Sequence, residues 1–389
     1  MDFDLSPEVS QVNEALRRFM NEEVLPLEER HKEETSEGRI SPAVLELGAE
    51  IRRKSVQLGY YTLHIPEAMG GGGMGHVAMT AFRETIAVSG STILGLFVLG
   101  DPPMGPTMML SGCTPYQQGT YLDPLMAGEK TTCFALTEPG AGSDVGNMHA
   151  RAVREGDRYV VNGEKHFISN GPYCDFAQVF VMTDPDKGLN GGCSLLLIDA
   201  DSPGFTRRLQ KSMMDDDFQA EFSFQDCEVP VENLVGTEGF GFVEAMKWLA
   251  AERLIVAIDA VGLADELVRM GVEYANTREQ FGAPIGKNQA IQWMLAESAT
   301  EIDAARWMTY HSAWLVDQGK DAMKEISMAK LFASEMAFRV ADRVLQVYGG
   351  IGYMKGLPVE RLFRVTRLLR IGGGTSEIQK LVIAKTLGL

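Results

Sequence analysis

The sequence has little positive charge, few cysteines and no long hydrophobic run. Against 53 acidic side chains it carries only 36 lysines and arginines, a formal net charge of −17. Non-specific nucleic-acid binding needs a cationic surface, so nucleic acid is not an expected partner. Any anionic ligand must be held by local donors rather than by the global field. No stretch of about 18 uninterrupted apolar residues occurs, so no membrane-spanning helix is expected. The five cysteines, Cys113, Cys133, Cys174, Cys193 and Cys227, lack paired spacing. They read as reduced thiols, with no metal or disulfide role. Met1 to Ser10 is acidic and has no cationic, apolar leader, and Leu387-Gly388-Leu389 is not a peroxisomal tripeptide. The expected compartment is the cytoplasm.

What the chain does have is material for a large core: 389 residues, 45% of them apolar, with an ordinary charged fraction of 23%. Three segments differ in character. Residues 1–125 read as helical. Ser6-Pro7 and Ser41-Pro42 each set an N-cap before a proline at the first helical position. Apolar residues follow at helical spacing: Val9, Val12, Leu16 and Phe19, then Val44, Leu47 and Ile51. Gly70, Gly72 and Gly75 fit G-x-G-x-x-G, but no βαβ context surrounds them, so a loop is expected there. Residues 126–236 change to the period of strands. Asn162-Gly163 lies between two extended runs and predicts a hairpin. Ala177 to Met182, Ser194 to Ile198 and Glu221 to Phe224 are further strand candidates. Residues 237–389 return to long helical stretches, interrupted at Gly349 to Gly352 and Gly372 to Gly374. The fold class expected is α+β.

The run from Phe134 to Asp144 (Phe-Ala-Leu-Thr-Glu-Pro-Gly-Ala-Gly-Ser-Asp) opens the β segment. It is a strand entering a loop whose two glycines let a ligand approach the backbone. On composition alone a structural turn and a binding loop stay equally open.

This run, with Asn162 to Gly171 (Asn-Gly-Glu-Lys-His-Phe-Ile-Ser-Asn-Gly), closely resembles the two signatures of the acyl-CoA dehydrogenase family. Thr277 to Gly282, Gln346 to Gly352 and Gly374 to Gln379 match in order and spacing, so the resemblance covers essentially the whole chain. It implies an N-terminal helical domain (1–125), a middle β-barrel or sandwich domain (126–236) and a C-terminal four-helix bundle (237–389). It implies FAD as cofactor, an acyl-CoA substrate, an electron-transferring flavoprotein as acceptor and a homotetramer. By the same resemblance, Phe134, Leu136 and Thr137 would surround the flavin ring. Phe167 and Ser169 would sit near its N5, where the family usually has tryptophan and threonine. Arg278 would pair with the pyrophosphate from a neighbouring subunit, guanidinium being suited to bidentate contact. Phe281 belongs to the same cofactor segment. Gln346 and Gly350 would line the adenosine end, Thr375 would touch the cofactor, and Ser143 would touch the acyl-CoA.

The reaction needs a carboxylate to remove the α-proton while the β-hydrogen leaves as hydride to flavin N5. In many members a glutamate stands immediately before the Gly-Thr of the last motif. Here Gly373 stands there, and glycine has no side chain. Isovaleryl-CoA and long-chain acyl-CoA dehydrogenases instead carry the glutamate on an earlier helix, just before an arginine. Glu252, in Ala250-Ala251-Glu252-Arg253-Leu254, fits that pattern. Trp248, Leu249, Ile255 and Val256 lie three or four residues from it on a helix. An apolar setting raises a carboxyl pKa, which suits a base for a carbon-bound proton. The Gly373 N–H and the flavin ribityl hydroxyl would polarise the thioester oxygen, in the manner of an oxyanion hole. Arg253 is expected to support the site electrostatically on the substrate side.

Thr92, Leu94, Leu96, Phe97, Val98 and Leu99 lie where the family builds the floor of its acyl pocket, which favours an aliphatic chain. The same stripe suits an ordinary helix core. The displaced base points by analogy to branched or longer acyl groups. Flavin oxidases and monooxygenases on the same fold, and a non-catalytic acyl-CoA-binding protein, are the competing readings. A retained base argues against the monooxygenase and the binding protein. Nothing in the sequence reports oxygen access.

Overall fold

The computed structural model describes residues 4–100, 103–214 and 216–389; Met1 to Phe3 of the acidic N-terminal segment lie outside them. The chain forms two compact units. One consists of Met1–Gly38, Met74–Gly95 and Ala250–Leu389, the other of Arg39–Gly73 and Leu96–Leu249.

The first unit is helical. Ser6 caps the helix Pro7–Phe19, its hydroxyl accepting the Val9 N–H at 3.3 Å. The helix His76–Ala87 starts on a borrowed cap: the Asp317 carboxylate accepts the His76 N–H at 2.7 Å and the Val77 N–H at 2.9 Å. A Cβ on Gly75 would stand 2.8 Å from that carboxylate, so only glycine lets it close. The long helices Gly241–Thr277 (from residue 250 on), Gln289–Asp317 and Met323–Tyr348 pack with Pro358–Leu369 around one core. Ala257, Ala260, Ala264, Ala305, Ala329, Ala333, Ala337 and Ala341 are buried there. Such small side chains let helices approach closely.

The second unit is built on a sheet of seven strands: β1 (Thr132–Ala135), β2 (Arg151–Glu155), β3 (Arg158–Ser169), β4 (Phe176–Met182), β5 (Cys193–Asp199), β6 (Phe205–Gln210) and β7 (Gln219–Pro230). The order is β1-β4-β2-β3-β7-β6, with β5 also paired to β4. β4 is buried along its whole length. Ala177, Val179 and Val181 enter one core, and Phe176, Phe180 and Met182 the other. A strand covered on both faces reads as a continuous apolar run, which is why Ala177 to Met182 was legible. The helix Pro42–Gln57, with Ser41 capping the Val44 N–H at 3.3 Å, belongs to this unit. The glycine-rich segment 70–73 is a loop, as expected; a Cβ at Gly71 would collide with the Ile65 carbonyl at 2.1 Å.

The hairpin expected at Asn162-Gly163 is not there. Both residues lie inside the continuous strand β3, at a register shift against β7 between Val161 and Gly163. The reversal between β2 and β3 falls instead at Gly156-Asp157, with Glu155 paired to Arg158. The bulge here lies on the partner strand, where Gln225 and Asp226 (φ +46°) of β7 oppose the single residue Asn162. Gly163 has φ +141°, and a Cβ would meet the Ala150 Cα at 2.5 Å. Asn162 exchanges two hydrogen bonds with Asp226 on β7, at 3.0 and 2.9 Å. That side-chain pairing replaces a ladder rung lost at the bulge.

In chain order the protein runs helices, sheet, helices, the α+β class expected. Among the described residues no helix is long and apolar enough to cross a membrane, and no cluster of His, Cys, Asp and Glu could hold a metal ion.

Candidate active site

Glu252 and Arg253 lie on the helix Gly241–Thr277, and Lys330 lies on the helix Met323–Tyr348. Burial pushes the Glu252 carboxyl up to about 7, against the opposing pull of the Arg253 and Lys330 cations. Lys330 is fully buried. Burial pushes its ammonium down to about 8, while Glu252 holds it up. Burial thus brings both pKa values toward neutrality, and each group's charge opposes the shift of the other.

The turn Gly372 to Gly374 arrives at the same place. It leads into the helix Ser376–Thr386, capped by the Thr375 hydroxyl, which accepts the Ile378 N–H at 3.3 Å. Gly373 and Gly374 have φ +63° and +90°, a left-handed backbone that favours glycine. Side chains from three helices hold their carbonyls. Gly373 O accepts from Arg253 Nε at 3.4 Å and Gln379 Nε2 at 3.2 Å. Gly374 O accepts from Gln379 Nε2 at 3.0 Å and Lys330 Nζ at 2.8 Å. The Gly373 N–H donates to no described residue. A Cβ on Gly373 would stand 3.6 Å from the Glu252 carboxyl carbon and 3.7 Å from Val256 Cγ2. Glu252, Arg253, Gly373 and Thr375 are therefore brought together. Lys330 and Gln379 were missed at the sequence level. The available signal was a lysine on an otherwise apolar stripe, Ile326, Ala329, Lys330 and Ala333.

In the sheet unit the two signature segments meet. The His166 N–H donates to the Thr137 carbonyl at 2.8 Å. Beneath them lies a buried ion pair, Lys165 Nζ to Glu138 Oε1 at 2.8 Å, with Lys165 0% and Glu138 4% exposed. Burial lowers the Lys165 pKa, and Glu138 opposes that shift. Lys165 also donates to the Leu136 carbonyl at 3.1 Å, and Glu138 accepts the N–H groups of His149 and Ala150 at 2.6 and 3.0 Å. Together these bonds fix the loop after β1. Neither charged residue was singled out from the sequence, although both stand inside the quoted motifs. Phe134 is packed between Phe180 and Trp248, ring centroids 5.0 and 4.6 Å away. Phe167 is 66% exposed at φ +59°, its N–H held by Gln210 Oε1 at 2.9 Å. The hydroxyls of Thr137, Ser143 and Ser169 have no partner among the described residues.

Arg278, Phe281, Gln346 and Gly350 are all exposed. Tyr274, one turn before Arg278, stacks on Tyr348, two residues after Gln346, at 4.1 Å. This contact places the two segments at one end of the helical unit. Of the stripe assigned to the acyl pocket, Leu94, Phe97, Val98 and Leu99 are buried and Leu96 is exposed. Leu94–Phe97 is a short 3₁₀ turn, not an α-helix. Phe97 packs where Gly48 leaves room, a Cβ there standing 2.6 Å from its ring, so Phe97 acts as core.

The residues present fit FAD. An uncovered aromatic face and three unpartnered hydroxyls suit a polar ring system, and the exposed guanidinium of Arg278 suits a phosphate. Comparisons with known proteins agree. The N-terminal, middle and C-terminal domain models of acyl-CoA dehydrogenases match residues 6–129, 133–227 and 239–388. The probable acyl-CoA dehydrogenase YngJ of Bacillus subtilis is 38% identical over 390 residues, covering 100% of both chains. Subunit CarC of the caffeyl-CoA reductase–Etf complex of Acetobacterium woodii is 39% identical, over 88% of this chain and 90% of its own. The solved structure of butyryl-CoA dehydrogenase from Megasphaera elsdenii superposes over 100% of both chains with a TM-score of 0.86 at 32% identity. The chain belongs to the acyl-CoA dehydrogenase family, FAD-dependent oxidoreductases that act on acyl-CoA.

Proposed function

We propose that the chain catalyses α,β-dehydrogenation of an acyl-CoA thioester to the trans-2-enoyl-CoA, with Glu252 as the base. The observation that carries this reading is the Glu252 carboxyl lying against the side-chain position that Gly373 leaves empty, with its pKa raised to about 7. A proton α to a thioester is only weakly acidic. The base must hold that proton firmly yet be ionised before it attacks, and an ordinary glutamate near 4.5 meets only the second condition. As Glu252 takes the proton, negative charge grows on the thioester oxygen. The Gly373 N–H is free to donate there, and Arg253, Gln379 and Lys330 hold the turn so that its direction is set in advance. Arg253 and Lys330 also stabilise the ionised form of Glu252 before transfer. Bound FAD supplies the two-electron acceptor for the β-hydrogen.

In this reading Phe134, Leu136, Thr137, Phe167 and Ser169 hold the flavin, Arg278 and Phe281 the pyrophosphate region, Gln346 and Gly350 the adenosine end, and Thr375 a further cofactor contact. Ser143 and Arg253 face the substrate. Exposure of Arg278 and Phe281 supports a homotetramer in which they complete a neighbour's cofactor site. An electron-transferring flavoprotein is the proposed acceptor, in keeping with the named complex of the Acetobacterium relative. The substrate is an aliphatic acyl group, branched or longer, and the working compartment the cytoplasm. Domain limits are placed at 125/126 and 236/237.

The test is anaerobic mixing of the FAD-loaded protein with straight and branched saturated acyl-CoAs, with hydrogen peroxide followed in a parallel aerobic reaction. Bleaching of the flavin by a saturated acyl-CoA without peroxide at the turnover rate is expected. Peroxide at that rate would make the protein an oxidase, and no bleaching by any acyl-CoA would contradict the reading.

A further inference from the structure

Two of the five cysteines meet. Cys133, on β1, donates its thiol to Cys174 Sγ at 3.5 Å, although 41 residues separate them in sequence. Both are buried and free. The backbone around them is tied on both sides. Asn170 Nδ2 donates to the Thr132 carbonyl at 2.8 Å, the Thr131 N–H to the Asp175 carboxylate at 2.7 Å, and the Cys174 N–H to the Asn170 carbonyl at 2.9 Å. A sulfur–sulfur bond of about 2.05 Å lies about 1.5 Å of closure from this contact.

The two thiols are not equivalent. Arg207 Nη1 donates to the carbonyls of Gly171, Pro172 and Cys174 at 3.3, 3.1 and 3.2 Å and lies 4.0 Å from Cys174 Sγ. The bond from Cys133 and then this guanidinium pull the Cys174 thiol below its ordinary value, with burial and Asp175 opposing, whereas burial raises Cys133. The remaining three behave as inert core: burial pushes Cys113 up to about 12 and Cys193 and Cys227 up to about 11. Cys174 also contributes to the wall of a cleft of about 600 Å³, together with Lys130, Asp175, Asp199 and Arg207. A thiolate-prone cysteine reached from a cleft, with a second thiol in contact behind it, is the arrangement of an attacking and a resolving cysteine.

We propose that Cys133 and Cys174 form an oxidisable dithiol, a modification site that hydrogen peroxide converts to an intramolecular disulfide. The Cys174 thiolate attacks one peroxide oxygen and the O–O bond breaks. The leaving hydroxide takes up a proton, giving water and a Cys174 sulfenic acid. Cys133 sulfur then attacks Cys174 sulfur; the S–S bond forms, the S–O bond breaks, and hydroxide leaves with the Cys133 proton as a second water. Two thiols lose two electrons and two protons, and one peroxide is reduced to two waters. The new bond would join β1, just before Leu136 and Thr137, to the segment just after Ser169, locking together the bases of the two signature loops.

The experiment treats the FAD-loaded protein with hydrogen peroxide, alkylates it in denaturant and maps the peptides by mass spectrometry. Alkylatable thiols should fall from five to three, with a Cys133–Cys174 linked peptide and recovery of all five after dithiothreitol. In Cys133→Ala the linked peptide should vanish and Cys174 should go on to the sulfinic acid. In Cys174→Ala the remaining thiols should stay reduced. Oxidation of Cys113, Cys193 or Cys227 as fast as the pair would overturn the proposal. So would a wild-type protein whose Cys174 becomes sulfinic while Cys133 stays free, or one in which all five thiols survive. The wild-type map decides the matter even if a variant fails to fold.

Discussion

The side-chain position missing at Gly373 lies 3.6 Å from the carboxyl carbon of Glu252. Two positions 121 residues apart thus address one point in space. A glutamate rooted at either could bring its carboxylate to it. Under the proposed mechanism, the empty position and the occupied one would be alternative routes to the same chemistry.

Moving the base tests that equivalence. Glu252→Gly should lower turnover by roughly 10²–10⁴-fold, the usual worth of a positioned general base. Adding Gly373→Glu to that variant should recover a measurable part of it. Recovery should be incomplete, because φ +63° costs a non-glycine residue about 1–2 kcal/mol. A FAD-loaded double variant no faster than Glu252→Gly would argue against a shared position.

The raised carboxyl sets a pH dependence. Glu252 must be ionised to act, so kcat/KM should fall below about pH 7, by about tenfold per pH unit, and level off above it. Stability should move the other way. A folded pKa above the unfolded one favours folding at low pH, and that contribution is lost as pH rises through about 7. Glu252→Gln, which cannot ionise, should therefore be more stable than the parent at pH 8, by up to about 3 kcal/mol, and equal to it near pH 4. Denaturant titrations at the two pH values check both the size and the sign.

Lys330 connects Glu252, the proposed base, to the turn. Its ammonium lowers the Glu252 pKa and binds the Gly374 carbonyl at 2.8 Å. Lys330→Met should shift the acid limb of the kcat/KM profile to higher pH while lowering kcat. A lowered kcat with the limb unmoved would leave Lys330 only a structural role.

Breaking the buried Lys165–Glu138 pair should destabilise the sheet unit and the loop that carries Leu136 and Thr137. Removing one partner strands a buried charge, at a cost of about 3–5 kcal/mol. Lys165→Met should therefore lower the melting temperature and the FAD content together. Full FAD content with an unchanged melting temperature would show the pair to be dispensable.

Much of this was legible in the sequence because the signals were local. Ser6-Pro7 and Ser41-Pro42 start helices where expected, since a cap needs only neighbouring residues. Glu252 beside Arg253 carried its own apolar helix face. What was illegible depended on partners distant in sequence. Asn162-Gly163 reads as a turn unless one knows that Asp226 pairs with Asn162 across the ladder and that Ala150 presses on Gly163. The apolar stripe around Lys330 signals its burial, but its partner, the Gly374 carbonyl, arrives from 44 residues away. The contact between Cys133 and Cys174 is set by the pairing of β1 with β4, which no cysteine spacing encodes.

The proposed removal of the α-proton by Glu252 is tested most directly by rapid anaerobic mixing of FAD-loaded Glu252→Gln with an acyl-CoA that bleaches the parent's flavin. The variant should bind FAD and acyl-CoA normally, and its flavin should stay oxidised over many parental turnover times. Bleaching at a rate near the parent's would contradict it and would require a different base.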